Sequence, residues 1–122
     1  MTDRMNDVSY LEVQDFNPDG TLKKYVGKGK KVVVMVQGNY CGHCKSAKPA
    51  YKDESNSCSD VVLASLQIDG EPSEKQAVKY IKMVDPSYRG VTIYLKYDTN
   101  GKFVGTHEGG RDAQSILAFA RS

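Results

Sequence analysis

Residues 31–45 of the chain read KVVVMVQGNYCGHCK. The short β-branched run 32–36 is flanked by lysines and a glycine, a pattern typical of a strand buried on both faces. Residues 42–55 predict a helix, with Pro49 inside it. The pair Cys41 and Cys44 is therefore predicted to lie where a buried strand gives way to a helix.

The remaining elements are predicted outward from this unit. A capped helix is predicted after Asp112, and Asn100-Gly101 is a favourable turn for a hairpin. The order βαβαβαββα implies parallel strands followed by an antiparallel hairpin, and hence an α/β fold with a mixed central sheet and helices on both faces. The further strands are predicted at 8–13, 61–68, 91–97 and 102–107, and the further helices at 21–26 and 73–84.

Length and charge exclude several functional classes. The 122 residues are expected to form a single domain, 1–122, with 1–7 as a poorly ordered tail. A net charge of +2 argues against nucleic-acid binding, which needs a concentrated basic face. Neither a secretory signal nor the ~20-residue apolar run of a membrane span is seen. We therefore expect a cytoplasmic protein with no membrane attachment; a secretory protein from which the signal has been removed is the alternative. A monomer is also expected.

The cysteine pair carries the predicted chemistry. A helix start offers unpaired N–H groups and the positive end of the helix dipole, and both favour a thiolate on Cys41. His43, which with Gly42 separates the two thiols, adds a positive partner when protonated. The pKa of Cys41 is then expected below the ~8.5 of a free thiol. Cys41 is predicted to be the exposed attacking sulfur, and Cys44, one turn deeper, the resolving sulfur.

A zinc site is the structural alternative to a redox pair. Zinc usually takes four ligands, and the other candidates, Cys58, His43 and His107, are not at metal-ligand spacing. No metal and no cofactor are therefore expected. Cys58 is interpreted as a half-buried bystander, and His107 as a packing residue.

The sequence resembles the thioredoxin superfamily, and specifically a thioredoxin domain of the protein disulfide isomerase type, over residues 8–122. The resemblance rests on 40–45 (YCGHCK), Pro49, the strand ending at 66–69, and HEGGR at 107–111. It implies a thioredoxin fold and thiol–disulfide exchange with protein substrates, and a reductase or oxidase as a partner. It also implies that Arg111 approaches Cys44 and assists its deprotonation.

The same resemblance assigns a substrate groove to Tyr40, Gly90, Val91 and Thr92. The chain departs from the family at the loop before the fourth main strand, because no proline precedes residues 92–93. Either Val91 or Thr92 stands in its place, and the alignment on Thr92 and Ile93 favours Val91. A second departure is Met35, which replaces a buried acid six positions before the first cysteine.

Two further functions stay open from the sequence. One is a thioredoxin-fold binding module or chaperone with little turnover. The other is a dimer bridged by an iron–sulfur cluster through Cys41 of each chain, since thiolates are the usual ligands of such clusters.

Overall fold

A mixed five-stranded sheet forms the centre of the molecule. The computed structural model describes residues 8–38, 41–88, 90, 92–107 and 112–122. The strands are β1 (Ser9–Tyr10), β2 (Lys31–Gln37), β3 (Val61–Gln67), β4 (Ile93–Tyr97) and β5 (Phe103–His107). Their order in the sheet is β1-β3-β2-β4-β5. Strands β1, β2 and β3 are parallel to one another, and β4 is antiparallel to both of its neighbours, β2 and β5.

Strand β2 lies at the middle of the sheet, as its apolar run predicts. It pairs with β3 on one side and with β4 on the other, and residues 32–36 are at most 1% exposed. Its alternate side chains enter different cores. Val33 and Met35 pack with Cys41 and Cys44 on one face, whereas Val34 packs on the other.

Helices cover both faces of the sheet, which confirms the predicted α/β architecture. The helices are α1 (Lys24–Gly27), α2 (Gly42–Ser57), α3 (Pro72–Gln76), α4 (Val78–Val84) and α5 (Ala113–Arg121). Residues of α2 and α5 join the cluster of Met35, and Ala77 and Ile81 join the cluster on the opposite face. Asp112 caps α5 by accepting a hydrogen bond from the Ser115 N–H at 3.2 Å.

Three predicted elements need correction. The helix expected at 21–26 is α1, Lys24–Gly27, because Leu22 forms an antiparallel β-bridge with Phe16. The strand expected at 8–13 is only Ser9–Tyr10, because the chain turns into a 3-10 helix at Val13–Asp15, which Glu12 and Asp15 cap reciprocally. The helix expected at 73–84 is divided at Ala77, whose N–H donates to the Glu74 carbonyl three residues back. The predicted tail 1–7 lies outside the described residues.

The hairpin turn agrees with the sequence prediction and shows why it needs glycine. Gly101 adopts φ +83°, and a side chain there would collide with the Leu22 carbonyl. The Leu22 N–H donates to the Gly101 carbonyl at 2.9 Å, so the turn is held against the segment that precedes α1. Across the described parts of the chain, no helix has the length and apolar character needed to cross a membrane.

Candidate active site

The first cysteine of the CGHC segment begins α2. Cys41 is the N-cap residue, with extended backbone, and its Sγ accepts a hydrogen bond from the Cys44 N–H at 3.1 Å. The Cys41 carbonyl accepts the first helical hydrogen bond, from the Lys45 N–H at 3.2 Å. This is the capping geometry that an Ser or Asp side chain normally provides, here made by sulfur. A negative charge on Cys41 is favoured by this N–H group and by the helix dipole.

The two sulfurs differ in accessibility. Cys41 retains 9% of its surface and Cys44 none. The prediction that Cys41 is an exposed thiol is therefore wrong in degree, because the residue packs into the core cluster of Met35 and faces the loop before β4. Cys41 remains the more exposed of the two residues, and neither forms a disulfide bond.

Cys44 is surrounded by influences that oppose one another. Burial raises the pKa of the Cys44 thiol, and a hydrogen bond to Cys41 raises it further. Hydrogen bonds from the Thr92 side chain and the Gly38 backbone lower the pKa. Since burial is the largest influence, Cys44 is held as a neutral thiol until something removes its proton.

Thr92 is the described residue of the β4 loop that contacts the sulfur pair. Its Oγ1 lies 2.9 Å from the Cys44 Sγ and 3.6 Å from the Cys41 Sγ, and the residue is 8% exposed. The sequence interpretation favoured Val91 at the family's proline position, but Val91 lies outside the described residues. Sequence reasoning placed Thr92 in a substrate groove but did not predict its contact with the thiols. The absence of the family's proline was the signal that pointed to an unusual loop beside the cysteines.

Gly90 provides open space on the same loop. It adopts φ +152°, and among the described residues that are not its chain neighbours, none has an atom within 4 Å of the position that a β-carbon would take. Gly42, at the tip of α2, is exposed and equally unobstructed. Tyr40 and Arg111 lie outside the described residues, as does the side chain of His43.

The position of the family's buried acid is apolar here, as the sequence predicts. Met35 is fully buried. Beside it, the Ser65 hydroxyl donates to the Met35 carbonyl at 3.0 Å and accepts from Gln37 Nε2 at 3.2 Å. The Gln37 Oε1 is buried with no hydrogen-bond partner among the described residues. Sequence reasoning did not find this small polar group, because neither Gln37 nor Ser65 belongs to a recognisable motif.

The bystander residues pack as the sequence suggests. His107 stacks on Phe119 with ring centroids 5.1 Å apart and contacts Tyr94 at 6.2 Å. Cys58 caps the end of α2, is partly buried, and has its Sγ 3.6 Å from the Val61 carbonyl. Burial raises the pKa of the Cys58 thiol. Within the described ranges, no group of three or more His, Cys, Asp or Glu side chains is arranged to hold a metal ion.

Known proteins share this fold and parts of this sequence. Thioredoxin-like protein 453L of Invertebrate iridescent virus 6 is 36% identical in an alignment 108 residues long, and the match covers 78% of each chain. Protein disulfide isomerase-like 1-1 of Arabidopsis thaliana is 26% identical in an alignment 100 residues long, and the match covers 79% of this chain but only 19% of that protein. The chain thus spans about a fifth of the length of this isomerase relative.

Solved structures share the fold of this chain. Thioredoxin f from spinach chloroplast superimposes with a TM-score of 0.68 at 22% identity, covering 100% of both chains. Thioredoxin f2, solved in complex with ferredoxin:thioredoxin reductase, gives a TM-score of 0.67 at 25% identity, covering 94% of this chain and 96% of the other. The family model described as Thioredoxin matches residues 11–122. The chain therefore belongs to the thioredoxin family, and this membership supports thiol–disulfide oxidoreductase chemistry in general.

Proposed function

We propose that the chain exchanges disulfides with protein substrates through Cys41 and Cys44, with Cys41 as the nucleophile. One observation carries this proposal: the Cys41 Sγ caps α2 and accepts the Cys44 N–H at 3.1 Å, while Cys44 is fully buried behind it. A sulfur that receives an N–H at a helix start is stabilised as a thiolate, and the thiolate is the reactive form.

The reaction has two steps. The Cys41 thiolate attacks one sulfur of a substrate disulfide, forms a mixed disulfide, and releases the other substrate sulfur as a thiolate. Cys44, after losing its proton, attacks the Cys41 sulfur and releases the second substrate sulfur. The Cys41–Cys44 disulfide that results can run the same steps backwards and oxidise a substrate dithiol.

The groove residues act on the substrate backbone in this proposal. An extended substrate segment is proposed to bind along Tyr40, Gly90, Val91 and Thr92, and the space around the Gly90 β-carbon position, open among the described residues, supports this. His43 and Gly42 tune the thiolate at the helix tip, and Arg111 assists deprotonation of Cys44. All of these groups belong to one chain, so the proposed reaction needs no second copy of it.

A reductase is the expected partner where the domain works as a reductant. The thioredoxin f2 relative is found in complex with ferredoxin:thioredoxin reductase. By analogy, we expect a reductase to renew the dithiol here. The CGHC spacing and the isomerase relatives support disulfide isomerisation as the finer activity.

Insulin reduction tests the proposal, with scrambled ribonuclease as the isomerase substrate. The unmodified protein is expected to accelerate both reactions. Cys41→Ser is expected to reduce both to the rate without protein, because the nucleophile is lost. Cys58→Ser, a matched change at the third cysteine, should retain the full rates. Equal rates for Cys41→Ser and the unmodified protein would contradict the proposal and favour a binding module.

A further inference from the structure

The Thr92 hydroxyl lies between the two active-site sulfurs. Its Oγ1 is 2.9 Å from the Cys44 Sγ and 3.6 Å from the Cys41 Sγ, so both sulfurs are within reach of one rotatable O–H. A threonine hydroxyl has one hydrogen to donate and two lone pairs that accept. It can therefore donate to only one of the two sulfurs at a time.

The charge state of the pair determines the direction of this hydrogen bond. While Cys41 is the thiolate and Cys44 the thiol, the hydroxyl hydrogen can point to the Cys41 Sγ. After Cys41 has entered a mixed disulfide it carries no charge. When Cys44 then loses its proton, the same hydroxyl needs only a rotation to donate to Cys44.

We propose that Thr92 is an active-site hydroxyl that stabilises the two thiolates in turn, first on Cys41 and then on Cys44. This inference deepens the proposed exchange reaction and rests on it. The hydroxyl keeps its own proton throughout. The proton of Cys44 passes through solvent to the substrate thiolate that the first step released, and the new Cys41–Cys44 bond forms as the Cys41–substrate bond breaks.

The surroundings of Cys44 explain why such a donor matters in this chain. Met35 is apolar and fully buried, so residue 35 offers no carboxylate to accept the Cys44 proton. Besides Cys41, the titratable side chains of the described cluster are the buried Tyr51 and Tyr94 and the partly buried Tyr10 and Cys58. Burial raises the pKa of Tyr51 well above its usual range, so this phenol stays neutral.

Two hydrogen-bonding groups among the described residues lower the pKa of Cys44. They are the Thr92 side chain and the backbone of Gly38. Of these two, Thr92 is the one that mutation can remove. A hydrogen bond to a charged group is about twice as strong as one between neutral groups. Loss of the hydroxyl should therefore destabilise the Cys44 thiolate measurably.

The first measurement isolates Cys44 and needs no turnover. In a Cys41→Ala, Cys58→Ser background, the thiolate absorbance of Cys44 is followed against pH with Thr92, Thr92→Val and Thr92→Ser. The pKa of Cys44 is expected to rise by about one unit in Thr92→Val. Thr92→Ser, which retains the hydroxyl, should stay near the parent. His43 and Arg111 are unchanged in all three proteins, so their contributions cancel.

The second measurement uses the intact dithiol. Thr92→Val is expected to prolong the lifetime of the mixed disulfide roughly tenfold, since about one unit of pKa reduces the thiolate fraction tenfold. Equal pKa values of Cys44 with and without the hydroxyl would overturn the inference, as would a Thr92→Ser protein that behaves like Thr92→Val. If valine prevents folding, the comparison of Thr92→Ala with Thr92→Ser decides in the same way. If instead the exchange reaction itself were absent, the pKa comparison would still give a result, so the two failures are distinguishable.

Discussion

Cys41 and Cys44 lie one helical turn apart, yet the fold treats them differently. The Cys41 sulfur caps the helix and accepts a hydrogen bond from an N–H at 3.1 Å, and 9% of the residue's surface is exposed. The Cys44 sulfur is fully buried, and burial raises the pKa of its thiol. Two identical side chains thus differ in charge preference and access because one stands at the helix end and the other beneath it. The comparison predicts a division of labour between attack and resolution.

The largest expected effect comes from removing one sulfur at a time. In Cys44→Ser the attacking thiolate remains and the resolving thiol is lost, so a Cys41–substrate disulfide should accumulate. In Cys41→Ser no adduct should form, because the buried Cys44 cannot reach a protein substrate. Non-reducing electrophoresis with an insulin substrate, followed by mass spectrometry of the adduct, measures this. An adduct on Cys44 in Cys41→Ser would reverse the assignment.

A smaller effect is expected from Met35→Asp, which places a carboxylate in the buried core near the resolving thiol. Burial raises the folded-state pKa of such an aspartate above its unfolded value of ~3.9. The penalty is therefore small below pH ~4 and grows as pH rises toward the folded-state pKa. At neutral pH we expect a loss of roughly 2–4 kcal/mol in the free energy of unfolding.

Urea unfolding at acid and neutral pH, with Met35→Leu as the control, measures this difference. The leucine variant should lose less than about 1.5 kcal/mol, with no dependence on pH. The same Met35→Asp protein is expected to resolve mixed disulfides faster, because the carboxylate can accept the Cys44 proton. If the free energy of unfolding that Met35→Asp loses relative to the unmodified protein were the same at acid and neutral pH, this result would contradict the burial of residue 35.

Local sequence signals predicted one side of the site and not the other. The apolar run of β2, the CGHC segment and Pro49 lie within 19 consecutive residues, so the strand, the helix start and the cysteine spacing could be predicted from neighbours. The contact of Thr92 with both sulfurs joins residues about 50 positions apart and depends on how β4 pairs with β2. No local sequence pattern predicts which residues this pairing brings beside the cysteines.

The same distinction applies to the fold. The division of the predicted helix at Ala77 is marked by the hydrogen bond from the Ala77 N–H to the Glu74 carbonyl, and the continuous apolar periodicity of 73–84 does not reveal it. The Ser65–Gln37 contact depends on the register of β2 against β3. The near-burial of Cys41 also escaped prediction, and Thr92, which contacts its sulfur, lies 51 positions away in the sequence.

Labelling of the three cysteines in one protein tests the division of labour most directly. The rate of alkylation by iodoacetamide is measured residue by residue with mass spectrometry across a range of pH. We expect Cys41 to react first, with a midpoint below the ~8.5 of a free thiol. Cys44 and Cys58, whose pKa values burial raises, should react later and only at higher pH. Modification of Cys44 before Cys41, or a Cys41 midpoint at or above that of a free thiol, would contradict the account.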